Sequence, residues 1–515
     1  MSTARRVVGA FAVAALLAGC STAPGPGSST FHRADATRPA DSFPSATPGL
    51  PSSASPLPFD AVPGTERPGR LVFAHYLPPF TVSIDNAPPA SDYYAREYLS
   101  PEGEGGKFAA YGGYLRDRPL PRTPRTSADW QLLDLEDEVR QASAAGIDGF
   151  VLDLVETPGD PDTRVLSVQS QLLDAAHLAD PAFRIMLMPD VSGGMRDKSV
   201  DTLASYVASL GRSPAAFHLS DGRLVVSPFN AESHSASWWG QFESVMASTY
   251  GTTVALVPLF QDERDHVADF APISYGVSTW GTRNPARNPP TATSPDSPVA
   301  RADAVHATGL LWMQTVAMQD ERPAQSIYDE AANTTNFRQS WQIARDSHAE
   351  WVQLATWNDY AEGTALAPSE HHGWSFLDLT SFYATWFKTG VEPTVTRDVV
   401  YLTHRMQPFD AKPTYPETSL MRPRGGTEPR DTVEALVFAT APGTVTLHVG
   451  ATSTDCHVRE GVTVCTAPLE LGAVSAVLVR DGVTVASAAS PFAVTSSPPV
   501  QDLQYVGVSS GRPVG

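Results

Sequence analysis

The apolar residues of this chain lie in short, mostly continuous runs, and segments with a helical pattern separate these runs. Short continuous apolar runs bounded by turn residues are typical of parallel strands that are buried on both faces. The pattern predicts eight strands, over Leu71–Leu77, Ile147–Leu154, Arg184–Val191, Leu224–Phe229, Thr253–Phe260, Ile273–Trp280, Leu311–Met318 and Trp351–Asp359.

Helical patterns between the runs complete the prediction of an α/β fold. Residues 130–145 and 374–388 place apolar side chains on one face, and Gly146 and Gly390 end these two patterns. Eight strands separated by helices predict a (β/α)8 TIM barrel over residues 70–390. A doubly wound open sheet is the alternative, but no glycine-rich phosphate-binding loop follows the first run.

The pattern changes after Gly390. Residues 391–498 contain β-branched runs separated by Pro, Gly and Asp, and they predict a small C-terminal antiparallel β-sandwich domain. Residues 499–515 carry weak signals, and we expect a C-terminal tail that is ordered only in part.

The N-terminal region is predicted to be a targeting segment followed by a linker. Two arginines precede a short apolar stretch that ends in Leu17-Ala18-Gly19-Cys20, a sequence that resembles a bacterial lipobox. We therefore expect residues 1–20 to be a lipoprotein signal peptide and Cys20 to be the lipidated residue. A plain signal peptide with an incidental cysteine is the alternative. Residues 21–69 are rich in Ser, Thr, Pro, Ala and Gly and predict a disordered tether.

The composition limits the possible partners. The chain has 515 residues and a formal net charge of −20, which argues against nucleic acid and against membrane attachment through charge alone. We expect an extracellular monomer, lipid-anchored to the outer face of the bacterial cell membrane, that acts on a polysaccharide without a cofactor or metal. Cys456 and Cys465 flank a predicted turn, and export favours a disulfide between them, with two buried thiols as the alternative.

Carboxylates terminate several of the predicted strands, where the chemistry of a (β/α)8 barrel is located. Asp153 and Asp190 end the second and third runs, and Asp359 and Glu362 belong to the loop that ends the eighth run. An aspartate after a strand is also a common cap or turn residue, and this alternative stays open for Asp190. Asp153 lies within an apolar run, where an unpaired carboxylate is costly, so a purely structural role is harder to defend.

Paired carboxylates beside aromatic residues predict hydrolysis of glycosidic bonds. One carboxylic acid protonates the leaving oxygen, and a second carboxylate activates water or attacks the anomeric carbon. Seven residues near these carboxylates or at strand ends are predicted to bind the substrate: His75, Tyr76, Asp190, Trp280, Trp357, Asn358 and Tyr360. For His75, a hydrogen-bonded core histidine is the alternative.

The segment 78–125, between the first strand and its helix, is unusually long and rich in tyrosine, glycine and proline. Loops of this length in compact domains tend to be functional or disordered. We expect either an ordered lid that faces the substrate or an Ω-loop that packs on its own tyrosines.

Four stretches of the chain resemble glycoside hydrolase family 71, the α-1,3-glucanases or mutanases. They are Val72–Tyr76, Ala145–Phe150, Asp221–Ser227 and Thr356–Glu362, and they extend the resemblance over residues 70–390, with the tether and the C-terminal module outside it. The resemblance implies endo-hydrolysis of α-1,3-glucosidic bonds with inversion of configuration.

The resemblance also implies the catalytic residues. The family's Asp and Glu fall on Asp359 and Glu362, and a further aspartate falls on Asp153. We prefer Glu362 as the acid and Asp359 as the base. The continuation Gly363-Thr364 is also similar to glycoside hydrolase family 99, the endo-α-mannosidases and mannanases, so an endo-α-mannanase is an alternative. A surface lipoprotein that binds glycan without cleaving it is another.

Overall fold

The computed structural model describes residues 57–61, 69–291 and 294–512. The predicted signal peptide, with Cys20, and most of the predicted tether lie outside the described residues. Within the described part of the chain, no helix has the length and apolar content that a transmembrane span requires.

Nine α-helices and twenty β-strands form the described part of the chain. The helices are α1 (Gly103–Gly106), α2 (Trp130–Ala144), α3 (Thr163–Ala179), α4 (Val200–Leu210), α5 (Ala236–Tyr250), α6 (Val267–Phe270), α7 (Pro298–His306), α8 (Thr335–Asp346) and α9 (Ser375–Thr389). The strands are β1 (Leu71–Tyr76), β2 (Gly149–Leu154), β3 (Arg184–Pro189), β4 (Leu224–Val226), β5 (Val254–Leu256), β6 (Leu259–Phe260), β7 (Gly276–Thr279), β8 (Leu311–Val316), β9 (Asp320–Arg322), β10 (Ile327–Asp329), β11 (Trp351–Leu354), β12 (Val399–His404), β13 (Arg422–Pro423), β14 (Thr432–Ala439), β15 (Gly443–Val449), β16 (Thr452–Val458), β17 (Gly461–Pro468), β18 (Val474–Arg480), β19 (Val483–Ala489) and β20 (Val506–Ser509).

The N-terminal part of the fold is a curled parallel sheet of nine strands in the order β5-β4-β3-β2-β1-β11-β8-β7-β6. Each of the eight predicted apolar runs contributes to this sheet, and helices follow the strands, so the prediction of an α/β fold is confirmed. The fifth run is two strands rather than one. Pro258 interrupts it because proline has no N–H to donate to a neighbouring strand.

Both faces of this sheet are buried, which explains why its strands are continuous apolar runs. Side chains on one face pack together inside the curl, among them Phe73, Val151, Met188 and Met313. Alternate side chains on the other face pack with the helices, among them Val72, Phe150, Leu187 and Val352. Side chains at the carboxyl ends of the strands therefore surround the mouth of the curl.

The helix boundaries follow local sequence signals. The Asp162 carboxylate accepts hydrogen bonds from the backbone N–H groups of Arg164 and Val165 and so begins α3. Gly390 ends α9 with a left-handed φ of 73°, a conformation that glycine adopts without a steric penalty. The two predicted helices agree with α2 and α9 to within one residue at each end.

The C-terminal part forms two antiparallel sheets, in the orders β17-β14-β12-β20 and β16-β15-β18-β19. Their facing apolar side chains form a separate core that includes Leu402, Val437 and Leu447. The first sheet also packs its other face against α9, where the rings of Phe438 and Phe382 are 5.0 Å apart. The predicted antiparallel sheets are therefore present, and one of them is buried on both faces.

Two predicted boundaries need correction. Residues 501–509 were expected in a partly ordered tail, but they are buried and include β20, which pairs with β12. Residues 57–61 were expected in the disordered tether, but Phe59 is buried and packs edge-on against Phe382 at 5.2 Å. In both segments a few apolar residues pack against the rest of the fold. A mostly polar stretch of sequence does not predict such packing.

A fourth sheet, of three strands, joins the two parts of the fold. Strand β10 pairs with β9 in antiparallel fashion and with β13 in parallel fashion. Strands β9 and β10 follow the parallel-sheet strand β8, whereas β13 comes from the segment between β12 and β14. This small sheet thus holds residues 320–322 next to the mouth of the curl.

The predicted disulfide between Cys456 and Cys465 is present, with the two Cα atoms 6.0 Å apart. Cys456 lies in β16 and Cys465 in β17, so the bond joins the two C-terminal sheets rather than two strands of one hairpin. It closes a loop with a sequence separation of 9 residues.

Replacing both cysteines by alanine is expected to lower the free energy of unfolding of the C-terminal sheets by about 2–3 kcal/mol, because the closed loop restricts the unfolded chain. Urea denaturation followed by circular dichroism measures this loss. Wild-type protein treated with reductant is the control and should shift by the same amount. An unchanged denaturation midpoint in both samples would contradict the expectation.

Candidate active site

Four predicted site residues lie at the carboxyl ends of the strands, around the mouth of the curl. His75 lies near the end of β1 and Asp153 near the end of β2, with His75 Nε2 3.8 Å from Asp153 Oδ2. Trp280 follows β7, and its ring meets the His75 ring edge-on at 5.3 Å. Asp190 follows β3 and is close enough for the charge of Asp153 to raise its pKa.

Polar atoms in this group have no hydrogen-bond partner within the described part of the chain. They are both ring nitrogens of His75 and Oδ1 of Asp153, and all three atoms are buried. A buried polar atom without a partner is costly, and a substrate hydroxyl is one group that satisfies it. His75, predicted to bind the substrate, and Asp153, predicted to be catalytic, therefore both have polar atoms without protein partners at the mouth of the curl.

Asp190 has a structural role as well. Its Oδ1 accepts hydrogen bonds from Ser192 N at 2.8 Å, from Ser192 Oγ at 2.6 Å and from Gly193 N at 3.0 Å. This is the turn geometry that was left open as the alternative. Burial and then the charge of Asp153 nevertheless raise the pKa of Asp190 to about 6 against these hydrogen bonds.

The loop after β11 holds the predicted acid pair. Asp359 N donates to Thr356 Oγ1 at 2.8 Å, and Thr364 N donates to the Asp359 carbonyl at 3.0 Å. Asp359 Oδ1 accepts from the backbone N–H groups of Ala361 at 3.0 Å and Glu362 at 3.1 Å. These bonds close a tight turn that keeps Glu362 near enough to Asp359 for its charge to affect the pKa of Asp359.

Arg322, on β9, binds the second member of the pair. Its Nη1 lies 2.6 Å from Glu362 Oε1. The other side of the same guanidinium binds Asp320 through two hydrogen bonds, Nε to Oδ1 at 2.8 Å and Nη2 to Oδ2 at 2.6 Å. Arg424, beside β13, donates to Asp320 Oδ2 at 3.1 Å. The guanidinium of Arg322 is therefore fixed in orientation by a carboxylate that is itself paired.

Burial and charge separate the acidities of these groups. Burial would raise the pKa of Asp320, but Arg322, Arg424 and Arg283 lower it to about 2. Burial and then the charge of Glu362 raise the pKa of Asp359 well above its usual range. Burial also raises the pKa of Glu362, while the charge of Arg322 opposes the rise. Burial and charge therefore favour Asp359 over Glu362 as the carboxyl that keeps a proton, whereas the sequence analysis preferred Glu362 as the acid.

A chain of contacts connects the two groups of residues. The Arg283 guanidinium lies over the Trp280 ring, 4.6 Å from its centre. Arg283 Nε is 3.9 Å from Asp320 Oδ2, and Asp320 binds Arg322. The mouth of the curl is thus lined continuously from Asp153 and His75 through Trp280 to the acid pair.

Three of the predicted substrate-binding residues are structural. The rings of Tyr76 and Trp357 are fully buried, and both donate to the carboxylate of Glu138 on α2, at 2.9 and 3.1 Å. Asn358 accepts from Leu77 N and donates to the carbonyls of Leu77 and Phe80. Its side-chain amide therefore holds the loop after β1 in place. No ring face or amide atom of these residues remains for a sugar, and the prediction for them is wrong. These residues were predicted to bind the substrate because they lie near the carboxylates or at strand ends in the sequence, but the folded chain places their side chains in the core.

Tyr360 belongs to an aromatic cluster with the long segment 78–125. Its buried ring packs with Phe80, Tyr94 and Leu115. The segment packs on its own tyrosines, as the Ω-loop alternative predicted, and the ring centres of Tyr98 and Tyr114 are 5.0 Å apart. Tyr114 also approaches the acid pair, because the charge of Asp359 adds to burial in raising the pKa of its hydroxyl. The segment therefore both packs on itself and borders the site.

The sequence analysis did not identify Arg322 or Arg283, and it considered Tyr114 only as one tyrosine of the long segment 78–125. Asp320-Glu321-Arg322 resembles an ordinary charged surface turn, yet all three residues are buried. The signal that could have found it is its position two residues beyond the seventh predicted strand, at the end of the sheet where catalytic groups converge.

A buried carboxyl with a strongly raised pKa and a partly buried carboxyl bound to a cation can supply a proton and a charged oxygen to the same substrate bond. At the carboxyl end of a parallel sheet, this arrangement is of the kind that glycosidases use for acid/base hydrolysis. The model of Glycosyl hydrolase family 71 matches residues 124–506. The chain belongs to this family, and it is a glycoside hydrolase.

The family match corrects the predicted extent of the resemblance, because it continues through the C-terminal sheets to residue 506. The chain is 24% identical over 411 residues to a glucan endo-1,3-alpha-glucosidase of Schizosaccharomyces pombe, a match covering 75% of this chain and 91% of that protein. It is 23% identical over 411 residues to a mutanase of Penicillium rubens, covering 74% and 86%. Among solved structures, the GH99 endo-alpha-mannosidase from Bacteroides thetaiotaomicron aligns with a TM-score of 0.44 and 14% identity, over 62% of this chain and 97% of that one.

Replacing Arg322 by methionine is expected to move the pH profile of kcat/KM toward higher pH by about one unit. The charge of Arg322 lowers the pKa of both Asp359 and Glu362, so its removal raises both. Activity at the wild-type optimum should then fall by about tenfold or more. The measurement is the pH dependence of initial hydrolysis rates.

Arg322→Lys is the control, because it keeps the charge but not the two-sided hydrogen bonding. Its pH profile should stay near that of the wild type. A methionine variant with an unshifted profile would show that Arg322 does not set the charge of the pair.

Proposed function

We propose that this protein is an exported endo-α-1,3-glucanase that cleaves a neutral α-glucan with inversion of configuration. The observation that carries the proposal is the pair of buried Asp359 and partly buried Glu362, with Arg322 bound to Glu362. The names of the two relatives, an endo-1,3-alpha-glucosidase and a mutanase, support the choice of linkage.

The proposed mechanism uses the pair in a single displacement. The protonated carboxyl gives its proton to the leaving glycosidic oxygen, while the ionised carboxylate removes a proton from the attacking water. The negative charge on the ionised member is stabilised by Arg322, which Asp320 holds in place. For inversion, the water lies between the ionised carboxylate and the face of the anomeric carbon opposite the leaving oxygen, while the protonated carboxyl lies on the side of the leaving oxygen.

The substrate is proposed to lie across the mouth of the curl. His75 and Asp153 offer buried polar atoms without protein partners to its hydroxyls. The half-buried indole of Trp280 lies beside them and offers an apolar surface to a sugar ring. Asp190 adds a carboxyl with a raised pKa at the same mouth.

We also propose that the curled sheet is a (β/α)8 barrel. Its edge strands β5 and β6 are consecutive pieces of one apolar run, Val254–Phe260. Single parallel bridges join Phe229 to Leu259 and Leu256 to Ser274 across the two edges. These contacts support closure, and closure would gather the strand ends around one site.

The decisive experiment is reducing-end release by the purified protein from α-1,3-glucan, α-1,6-mannan, dextran and starch. We expect cleavage of α-1,3-glucan, with about 10²- to 10⁴-fold loss of kcat in Asp359→Asn and in Glu362→Gln. Because the substrate is α-linked, inversion predicts that the β-anomer appears first in time-resolved proton NMR.

Asp221→Asn is the matched control, since Asp221 is an exposed carboxylate that precedes β4 at the opposite end of the sheet. Its activity should remain at the wild-type level. Cleavage of mannan instead would identify the endo-α-mannanase alternative, and no cleavage of any polymer would leave a glycan-binding protein.

We propose that the protein is exported and lipid-anchored through Cys20 on the outer face of the bacterial membrane. Leu17-Ala18-Gly19-Cys20 at the end of a short apolar stretch supports this location. The disulfide between Cys456 and Cys465 supports it independently, because such bonds persist in oxidising compartments.

Replacing Cys20 by serine is expected to move the protein from the detergent phase to the aqueous phase in Triton X-114 partitioning, because the acyl chains that hold it in the membrane are lost. A Ser21→Ala variant, next to the modified position, is the control and should stay in the detergent phase. Wild-type protein in the aqueous phase would contradict the lipid anchor.

A further inference from the structure

A cavity of about 380 Å³ lies beside the acid pair rather than over it. It is bordered by the residues after β6 and β7, by side chains of β8 and by the start of α7. Trp312 of β8, one of its walls, belongs to the core that packs with the helices, not to the core inside the curl. The cavity is therefore separate from the mouth of the curl, although Trp280 and Arg283 border both.

The charge of the cavity differs from that of the whole protein. The chain has a formal net charge of −20. The lining nevertheless contains five arginines and two aspartates: Arg264, Arg283, Arg287, Arg301, Arg424, Asp262 and Asp329. Three of the arginines are already bound to carboxylates, Arg264 to Asp262, Arg301 to Glu263 and Arg424 to Asp329.

Arg283 has donors to spare. Its side chain is 1% exposed, and Nη1 donates to the Trp280 carbonyl at 2.8 Å. Nε and Nη2 have no hydrogen-bond partner within the described part of the chain, and Asp320 Oδ2 is 3.9 Å from Nε. Buried guanidinium donors without acceptors are costly, so an acceptor in the cavity would stabilise them.

Two more donors border the same space. The hydroxyl of Thr279 is buried and has no hydrogen-bond partner among the described residues. Arg287 is exposed and donates from Nη2 to the Gly425 carbonyl at 3.3 Å, and no carboxylate in the described part of the chain forms an ion pair with it. Arg283, Arg287 and Thr279 therefore leave donors available here, and a group with several acceptor oxygens, such as an oxyanion, complements them.

We propose that this cavity binds a small ligand that carries an oxyanion, a carboxylate or phosphate group on a sugar. The cavity volume falls in the range of small-molecule sites. Guanidinium groups match the planar geometry of carboxylate and phosphate oxygens. The inference goes beyond the proposed function, because a neutral glucan has no such group.

Isothermal titration calorimetry of the full chain in detergent tests the proposal with glucose 6-phosphate, glucuronate and glucose at constant ionic strength. We expect at least one charged sugar to bind with a Kd of millimolar or lower, and glucose not to bind detectably. Which of the two charged sugars binds more tightly distinguishes phosphate from carboxylate. The readout is binding, so it does not depend on hydrolysis.

Arg283→Gln and Arg287→Gln should each weaken this binding at least tenfold. Arg287 is exposed, so its substitution keeps the test valid even if Arg283→Gln fails to fold. Arg223→Gln is the matched control, since Arg223 is an arginine paired with Asp221 ahead of β4. The proposal is overturned if neither charged sugar binds, if glucose binds equally well, or if Arg287→Gln binds as the wild type does.

Discussion

The contact between Arg322 and Glu362 determines the charge of the candidate active site, and several other features of the structure serve to hold it. Arg322 is buried, so its charge acts through little intervening water. Asp320 takes two of its hydrogen bonds and is itself bound by Arg424. Arg322 is thus fixed next to Glu362. Burial and then the charge of Glu362 raise the pKa of the neighbouring Asp359.

The C-terminal region contributes directly to this arrangement. Glu321 N donates to the Glu362 carbonyl at 2.7 Å, and the Glu321 carboxylate accepts from Leu503 N at 2.8 Å. Burial and then the charge of Asp502 raise the pKa of Glu321 to about 8. A Cβ atom at Gly363 would lie 2.8 Å from the Gln504 amide, so the loop that holds the candidate acid pair fits closely against residues 501–505. This packing gives a physical reason for the family match to extend to residue 506.

The aromatic residues divide into two kinds that the sequence did not separate. Trp357 and Tyr76 bind Glu138 in the core, where burial raises the pKa of that glutamate to about 8 despite their hydrogen bonds. Trp280 and Tyr114 lie at the mouth of the curl. All four are near predicted carboxylates in sequence or in space. Whether a ring faces substrate or core depends on which way the chain turns after a strand, and local composition does not contain that information.

The sequence by itself predicted the α/β class, the strand runs, the two helices that end in glycine and the disulfide, and it selected Asp359 and Glu362 as the candidate acid pair, because periodicity, turn residues and paired carboxylates are local signals. The tertiary structure alone decided which residues surround that pair. Arg424 binds Asp320 although the two residues are 104 positions apart in the chain. Residues 501–509 contribute a strand to a sheet, which their composition did not predict. Ion pairs and pairs of edge strands form between segments that are distant in the sequence. Which residues take part is therefore known only from the folded chain.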